Sequence, residues 1–217
     1  MIEAAIFDMD GLLIDSEPLW QEAEILVFNK VKVPLTLEMT SLTMGLRTDE
    51  VVEYWYQRYP WTTPSQQEVC KEIDATVIEL IKNKGVAKEG VKEAISICKG
   101  AGLPIAIASS SPILLIETAI DKLGIRTEID IIHSAHDELY GKPHPAVYIR
   151  TAEELQVRPN HCLTFEDSTN GVLSAKAARM NCIAVPEPEA RDDKRFGIAD
   201  IILHSLKDFT PEMLKSW

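Results

Sequence analysis

AAIFDMDG, residues 4–11, is the stretch on which the fold turns: the apolar run Ala4-Ala5-Ile6-Phe7 breaks off abruptly at Asp8. A short apolar run cut off by charge suits a buried strand whose C-terminal end opens onto a site. Runs of the same kind recur at Leu103 to Ala108, Ile129 to Ile132, His161 to Phe165, Cys182 to Val185 and Ile201 to Leu203. Helical spacing fills most of the intervals. Val91, Ala94, Ile95 and Cys98 form one stripe, and Ile113, Ile116, Ile120 and Leu123 form another after a start at Ser111-Pro112. Further helices are expected over Ala146 to Leu155 and Thr169 to Met180. Buried strands alternating with helices predict an α/β fold with a doubly wound, mainly parallel sheet, a Rossmann-like core.

Residues 17–84 break this rhythm. They offer helical patterns at Trp20 to Asn29, Thr48 to Tyr59 and Gln66 to Lys82 but no strand, so they read as an all-helical cap inserted after the first strand. The predicted division is a core of residues 1–16 and 85–217 with a cap of residues 17–84. Trp55 is expected in the core of the small helical bundle rather than against a ligand. Pro186 to Arg195, with its prolines and mixed charges, reads as an exposed loop and short helix.

Bulk composition narrows the partners. With 34 acidic against 22 basic residues the formal charge is -12, which opposes the approach of nucleic acid and of anionic membranes. An anionic ligand must then be met locally, by a metal ion or a few placed cations. Cys70, Cys98, Cys162 and Cys182 form no C-x-x-C pair and are expected as buried, reduced thiols. The chain shows no signal-peptide core and no apolar run near the roughly 20 residues of a membrane span, so a cytoplasmic location is expected. A monomer is the default assembly.

Four clusters carry chemistry. Asp8 and Asp10, at the end of the first strand, can converge on one hard cation, and Gly11 lets the backbone turn away sharply. A lone D-x-D would be an acidic turn, but a carboxylate at the rim of a hydrophobic sheet needs a cation or donors to offset its desolvation. Ser109-Ser110-Ser111 follows the second strand and precedes a helix, where hydroxyls and free N–H groups make an anion site. Helix capping accounts for Ser111, which leaves Ser109 as the better ligand candidate. In Gly141-Lys142-Pro143-His144-Pro145 the prolines would hold Lys142 in a defined place, while His144 reads as structural. Phe165-Glu166-Asp167-Ser168 repeats the first design, and adjacent carboxylates at a strand end call for a shared counter-ion. A parallel sheet brings these strand ends to one edge. Carboxylates for a metal, a hydroxyl at a helix start and a lysine together suit phosphoryl transfer.

DMDG, the Ser109 strand, GKPHP and FEDS follow one another as do the four motifs of the haloacid dehalogenase-like superfamily, which the chain resembles over essentially its whole length. FDMDGLLIDSEPLW, TMGLR and PSQQEV further resemble bacterial 2-deoxyglucose-6-phosphate or hexitol phosphatases, with β-phosphoglucomutases as relatives in mechanism. The resemblance implies an Mg²⁺-dependent phosphatase acting on small phosphate monoesters of the sugar or sugar-alcohol type through an aspartyl phosphate. Asp8 would be the nucleophile and Asp10 the acid and then the base. Asp8, the backbone carbonyl of Asp10 and Asp167 would hold Mg²⁺, with Glu166 in or beside that shell. Ser109, Ser110, Lys142 and Asn170 would bind phosphate, and Arg47 and Trp20 would belong to the substrate face of a mobile cap, with a surface ion pair as the other reading of Arg47.

Dehalogenases in the superfamily lack an acid at the position of Asp10, which argues against that chemistry. A phosphosugar mutase remains the alternative, although β-phosphoglucomutases usually carry a histidine where this chain has Trp20. A non-enzymatic phospho-receiver module is a distant third, since receivers are shorter and have no cap.

Overall fold

The computed structural model describes residues 1–215 and 217. The chain enters the core with β1 (Ala4–Phe7) and then builds the insert from α1 (Glu17–Lys30), α2 (Leu37–Thr40), α3 (Thr48–Arg58) and α4 (Gln66–Lys84). Regular alternation resumes with α5 (Val91–Gly100), β2 (Ile105–Ser109), α6 (Ile113–Leu123), β3 (Ile131–Ser134), α7 (Ala146–Glu154) and β4 (Cys162–Glu166). It closes with α8 (Thr169–Ala177), β5 (Asn181–Ala184), β6 (Ile201–Ile202) and α9 (Pro211–Lys215). Among the described residues the strands form one six-stranded sheet in the order β3-β2-β1-β4-β5-β6, parallel at every pairing.

Alternation of side chains explains why helices cover both faces. Ala5, Phe7, Ile105, Ile107, Leu163, Phe165 and Ile183 enter one core, where Phe7 stacks on Phe165 with ring centroids 4.4 Å apart. Ala4, Ile6, Ala106, Ala108, Cys162, Cys182 and Ala184 enter the other. The small residues of the second face let α7 and α8 approach the sheet closely, which fixes where their first turns stand relative to the strand ends.

The insert is held by its own apolar stripes. Val69, Ile73, Val77 and Ile81 repeat every four residues on α4 and face α1 and α3, where Ala23, Val27, Val52 and the 1% exposed Trp55 complete the bundle. A reciprocal cap between Ser65 and Glu68 starts α4. The two passages between insert and core run side by side: Ile14 bridges Ala87, and Asp15 N donates to Val86 O.

Several boundaries differ from the expectation for local reasons. β2 starts at Ile105, after Pro104, which has no N–H for the ladder, and runs on to Ser109. β3 starts at Ile131 because residues Arg126–Glu128 form a 3-10 turn that Ile129 closes. α8 ends at Ala177, where Arg179 adopts φ 65° and the chain turns back. Of the cysteines, Cys98, Cys162 and Cys182 are buried as expected while Cys70 is only half-buried, and all are free thiols. No helix among the described residues is long and apolar enough to cross a membrane.

Candidate active site

The sheet register sets the geometry. β1 lies between β2 and β4 with Phe7 opposite Ile107 and Phe165, and Asp8 N continues the ladder to Phe165 O at 3.0 Å. Asp8 therefore emerges level with the ends of both neighbours, at the point where the strand order reverses. Gly11, at φ 73°, turns the chain away, and a Cβ there would stand 2.2 Å from Asp167 Oδ2. Gly171 in the first turn of α8 leaves similar room, since its Cβ would overlap the Glu166 carboxylate. These two glycines let backbone and carboxylates share one small volume.

Lys142 is the cation of this centre. Its ammonium donates to Asp8 Oδ1 and Glu166 Oε1, both at 2.6 Å, to Ala108 O at 3.0 Å and to Tyr148 OH at 3.2 Å. Tyr148 in turn donates to Glu166 Oε1. Lys142 is 3% exposed and Glu166 0%, so each charge depends on its partners. Burial by itself lowers the lysine's pKa, but Asp8 and Glu166 together outweigh it and hold the ammonium firmly protonated.

Acid exceeds base here. Oxygens of Asp8, Glu166 and Asp167 lie within 4.8 Å of one another. Burial, opposed by Lys142 and reinforced by Glu166 and Asp10, pushes Asp8 up to about 8. Burial, then the charges of Asp8 and Glu166, push Asp167 well above the usual carboxylate range. Three crowded carboxylates with one lysine are short of positive charge, and an all-oxygen donor set fits a hard divalent cation.

Asp10 takes another direction. Its Oδ1 accepts hydrogen bonds from Ser16 Oγ at 2.7 Å and Trp20 Nε1 at 2.8 Å, and its Oδ2 accepts from Ser111 Oγ at 2.7 Å and Ser109 Oγ at 3.4 Å. The carboxylate stands apart from the acidic cluster, over the same cleft. That cleft is bounded below by Asp8, Asp10, Lys142 and Asp167 and above by α1 and the turn at residues 40–48.

Sequence expectations meet this geometry unevenly. Asp8, Asp10, Ser109, Ser110, Lys142, Asp167 and Trp20 all line the cleft. Ser111 is a correction: Pro112 stands at the start of α6 with no side-chain cap, and Ser111 instead donates to Asp10. Asn170 sits in the first turn of α8 but does not line the cleft. Arg47 is directed away from it, donating to Ala135 O at 3.1 Å and Glu138 O at 2.9 Å and pairing with Asp49. His144 is exposed, its carbonyl accepting from Ser174, in keeping with a structural role. Tyr148 and Ser16 were not anticipated. Tyr148 lies in an apolar helical stripe that signals only burial, whereas Ser16, six residues past Asp10, could have been suspected from the turn that Gly11 imposes.

The family described as "Haloacid dehalogenase-like hydrolase" matches residues 5–185. The chain is 46% identical over 215 residues to hexitol phosphatase B of Escherichia coli (strain K12), covering 98% of this chain and 96% of the relative. It is 31% identical over 185 residues to the phosphorylated carbohydrates phosphatase of Thermotoga maritima, covering 84% of each. Among solved structures, CbbY from Rhodobacter sphaeroides in complex with phosphate superposes with a TM-score of 0.85 at 26% identity, covering 96% of each chain. A β-phosphoglucomutase from Clostridium difficile shares the fold, with a TM-score of 0.86 at 23% identity, covering 100% of this chain and 96% of that one.

Proposed function

The chain belongs to the haloacid dehalogenase-like hydrolases, and from that membership and the geometry of its cleft we propose that it is an Mg²⁺-dependent phosphatase of sugar or sugar-alcohol monophosphates. One observation carries the reading: Lys142 grips Asp8 by one oxygen, while Asp10, two residues on, is held by separate donors over the same cleft. Two neighbouring carboxylates with separate partners can serve as nucleophile and as acid–base group.

Asp8 uses its other oxygen to attack phosphorus in line with the ester bond. That P–O bond breaks, and Asp10 delivers a proton to the departing alkoxide. An aspartyl phosphate remains on Asp8. Asp10 then takes a proton from water, whose oxygen attacks phosphorus and breaks the bond to Asp8, releasing inorganic phosphate. Lys142 offsets the repulsion between Asp8 and the incoming phosphate, and Ser109 with the backbone of Ser110 binds the transferring oxygens. Asp8, the backbone carbonyl of Asp10 and Asp167, with Glu166 in or beside the shell, would hold Mg²⁺, which supplies charge neutralisation to the phosphoryl group when bound.

Residues 17–84 act as a cap that closes over the substrate and excludes water, hinged at the paired passages near Ile14 and Ala87. Arg47 supports this by clasping core carbonyls at Ala135 and Glu138 from the cap side. The four free thiols support a reducing cytoplasm as the working compartment, with a monomer as the working assembly. A phosphate-release screen over sugar and polyol phosphates, with Mg²⁺ and with a chelator, tests the whole reading. Metal-dependent release is expected from at least one hexose or hexitol monophosphate. Full turnover without metal, or no release from any ester, would overturn it.

A further inference from the structure

The helix that roofs the cleft carries acid where a second anionic group would need base. α1 turns Glu17, Trp20, Gln21 and Glu24 into the cleft, the spacing of a single helical face. Glu24 is 7% exposed, and its Oε2 is buried without a hydrogen-bond partner. Glu17 receives one hydrogen bond, from Gln21 Nε2 at 3.0 Å. Burial, and then the charge of Glu17, pushes Glu24 up to about 8, and burial pushes Glu17 up to about 7. Among the residues lining the cleft Lys142 is the one cation, and Asp8 and Glu166 already engage it. Arg47, on the same insert, is committed to carbonyls outside the cleft.

We propose that Glu24, with Glu17 beside it, is the specificity-determining subsite of the cleft: it accepts hydrogen bonds from hydroxyl groups of a neutral, polyhydroxylated leaving group and excludes esters bearing a second phosphate or a carboxylate. This rests on the phosphatase reading and names the substrate class within it. A buried carboxyl oxygen without a hydrogen-bond partner is destabilising, and a ligand hydroxyl relieves that cost. A hydroxyl both donates and accepts, so it can satisfy the Glu24 carboxyl in either protonation state, and the gain is available only to ligands that bring such groups. A second anion would instead enter a desolvated site with no free cation, next to two acids whose own ionisation burial already opposes.

The test compares sorbitol 6-phosphate with gluconate 6-phosphate, which differ at C1 alone, and includes p-nitrophenyl phosphate as a substrate with no hydroxyl chain. The wild-type enzyme is expected to favour sorbitol 6-phosphate over gluconate 6-phosphate by about 100-fold in kcat/KM. Glu24→Gln should narrow that ratio about tenfold, chiefly by raising KM for sorbitol 6-phosphate. A wild-type ratio near one, or a ratio unchanged in Glu24→Gln, would overturn the inference. If p-nitrophenyl phosphate is hydrolysed and Asp8→Asn abolishes that hydrolysis, such a result defeats the subsite alone. No hydrolysis of any of the three esters would remove the phosphatase reading and the subsite with it.

Discussion

Trp20 Nε1 donates a 2.8 Å hydrogen bond to the carboxylate of Asp10, joining the helical insert to the core at the group we assign to proton transfer. Ser16 donates to the same oxygen as Trp20, and Ser111 with, at longer range, Ser109 holds the other. Trp20 thereby couples the position of α1 to the orientation of Asp10. Trp20→Phe keeps the ring but deletes the donor. A hydrogen bond to a charged group contributes about 1.5–3 kcal/mol, so kcat on a sugar phosphate should fall roughly 10- to 100-fold. Steady-state kinetics with kcat unchanged would show that Asp10 does not depend on this bond.

An Asp10 already oriented by Trp20 can activate water as soon as the leaving group has departed. β-Glucose 1-phosphate, where it reacts, should therefore give free glucose and inorganic phosphate with no requirement for a bisphosphate. Product analysis with and without glucose 1,6-bisphosphate decides this. Glucose 6-phosphate as the main product, stimulated by the bisphosphate, would assign the chain to the mutases.

Lys142 also holds the fold. Lys142→Met leaves Asp8 and Glu166 buried without their shared ammonium, and loss of one partner of a buried ion pair destabilises by about 3–5 kcal/mol. Urea unfolding should show a loss of that order together with loss of turnover. A midpoint within error of the wild type would mean that water or protonation compensates the carboxylates.

Glu24 predicts a pH-dependent stability in the ligand-free protein. Its carboxyl moves from an ordinary value of 4.5 to about 8 on folding, through burial and Glu17. Below pH 4.5 it is protonated in both states and has no effect. Between 4.5 and about 8 the folded chain retains a proton that the unfolded chain releases, so stability falls as pH rises and the full penalty stands above about 8. Glu24→Gln should be more stable than the wild type by roughly 2–4 kcal/mol at pH 8, with the gap closing toward pH 4.5. Asp8, Asp10 and Asp167 are present in both proteins, so the difference reports Glu24 together with its interaction with Glu17. A gap independent of pH would show that Glu24 titrates normally.

Strand ends were legible in the sequence because an apolar run cut off by carboxylates records both burial and the place where burial stops. Asp8, Asp10, Lys142, Glu166 and Asp167 were found on that signal, together with the motif order. Side-chain direction was not legible. Ser109 and Ser111 are equivalent by composition, and only the turn into α6 decides that Ser111 reaches Asp10 at 2.7 Å while Ser109 stands at 3.4 Å. Arg47 fits a substrate face and a surface ion pair equally well by sequence; the pair with Asp49 forms, whereas its other partners, two backbone carbonyls some ninety residues away, leave no trace in composition. Glu24 reads as one more polar residue on an amphipathic helix until the fold places it under the roof of the cleft, and Tyr148 is hidden the same way in an apolar stripe.

The central claim is that Asp8 carries the phosphoryl group between substrate and water. Rapid acid quench during turnover of a sugar monophosphate, followed by borohydride reduction and peptide mass analysis, tests it directly. An aspartyl phosphate at Asp8 would be reduced to homoserine, so the N-terminal peptide should show that conversion at residue 8 in the wild type and none in Asp8→Asn. Turnover that proceeds in the wild type with Asp8 recovered intact, at quench times when substrate is still saturating and dephosphorylation limits the rate, would contradict covalent catalysis at this residue.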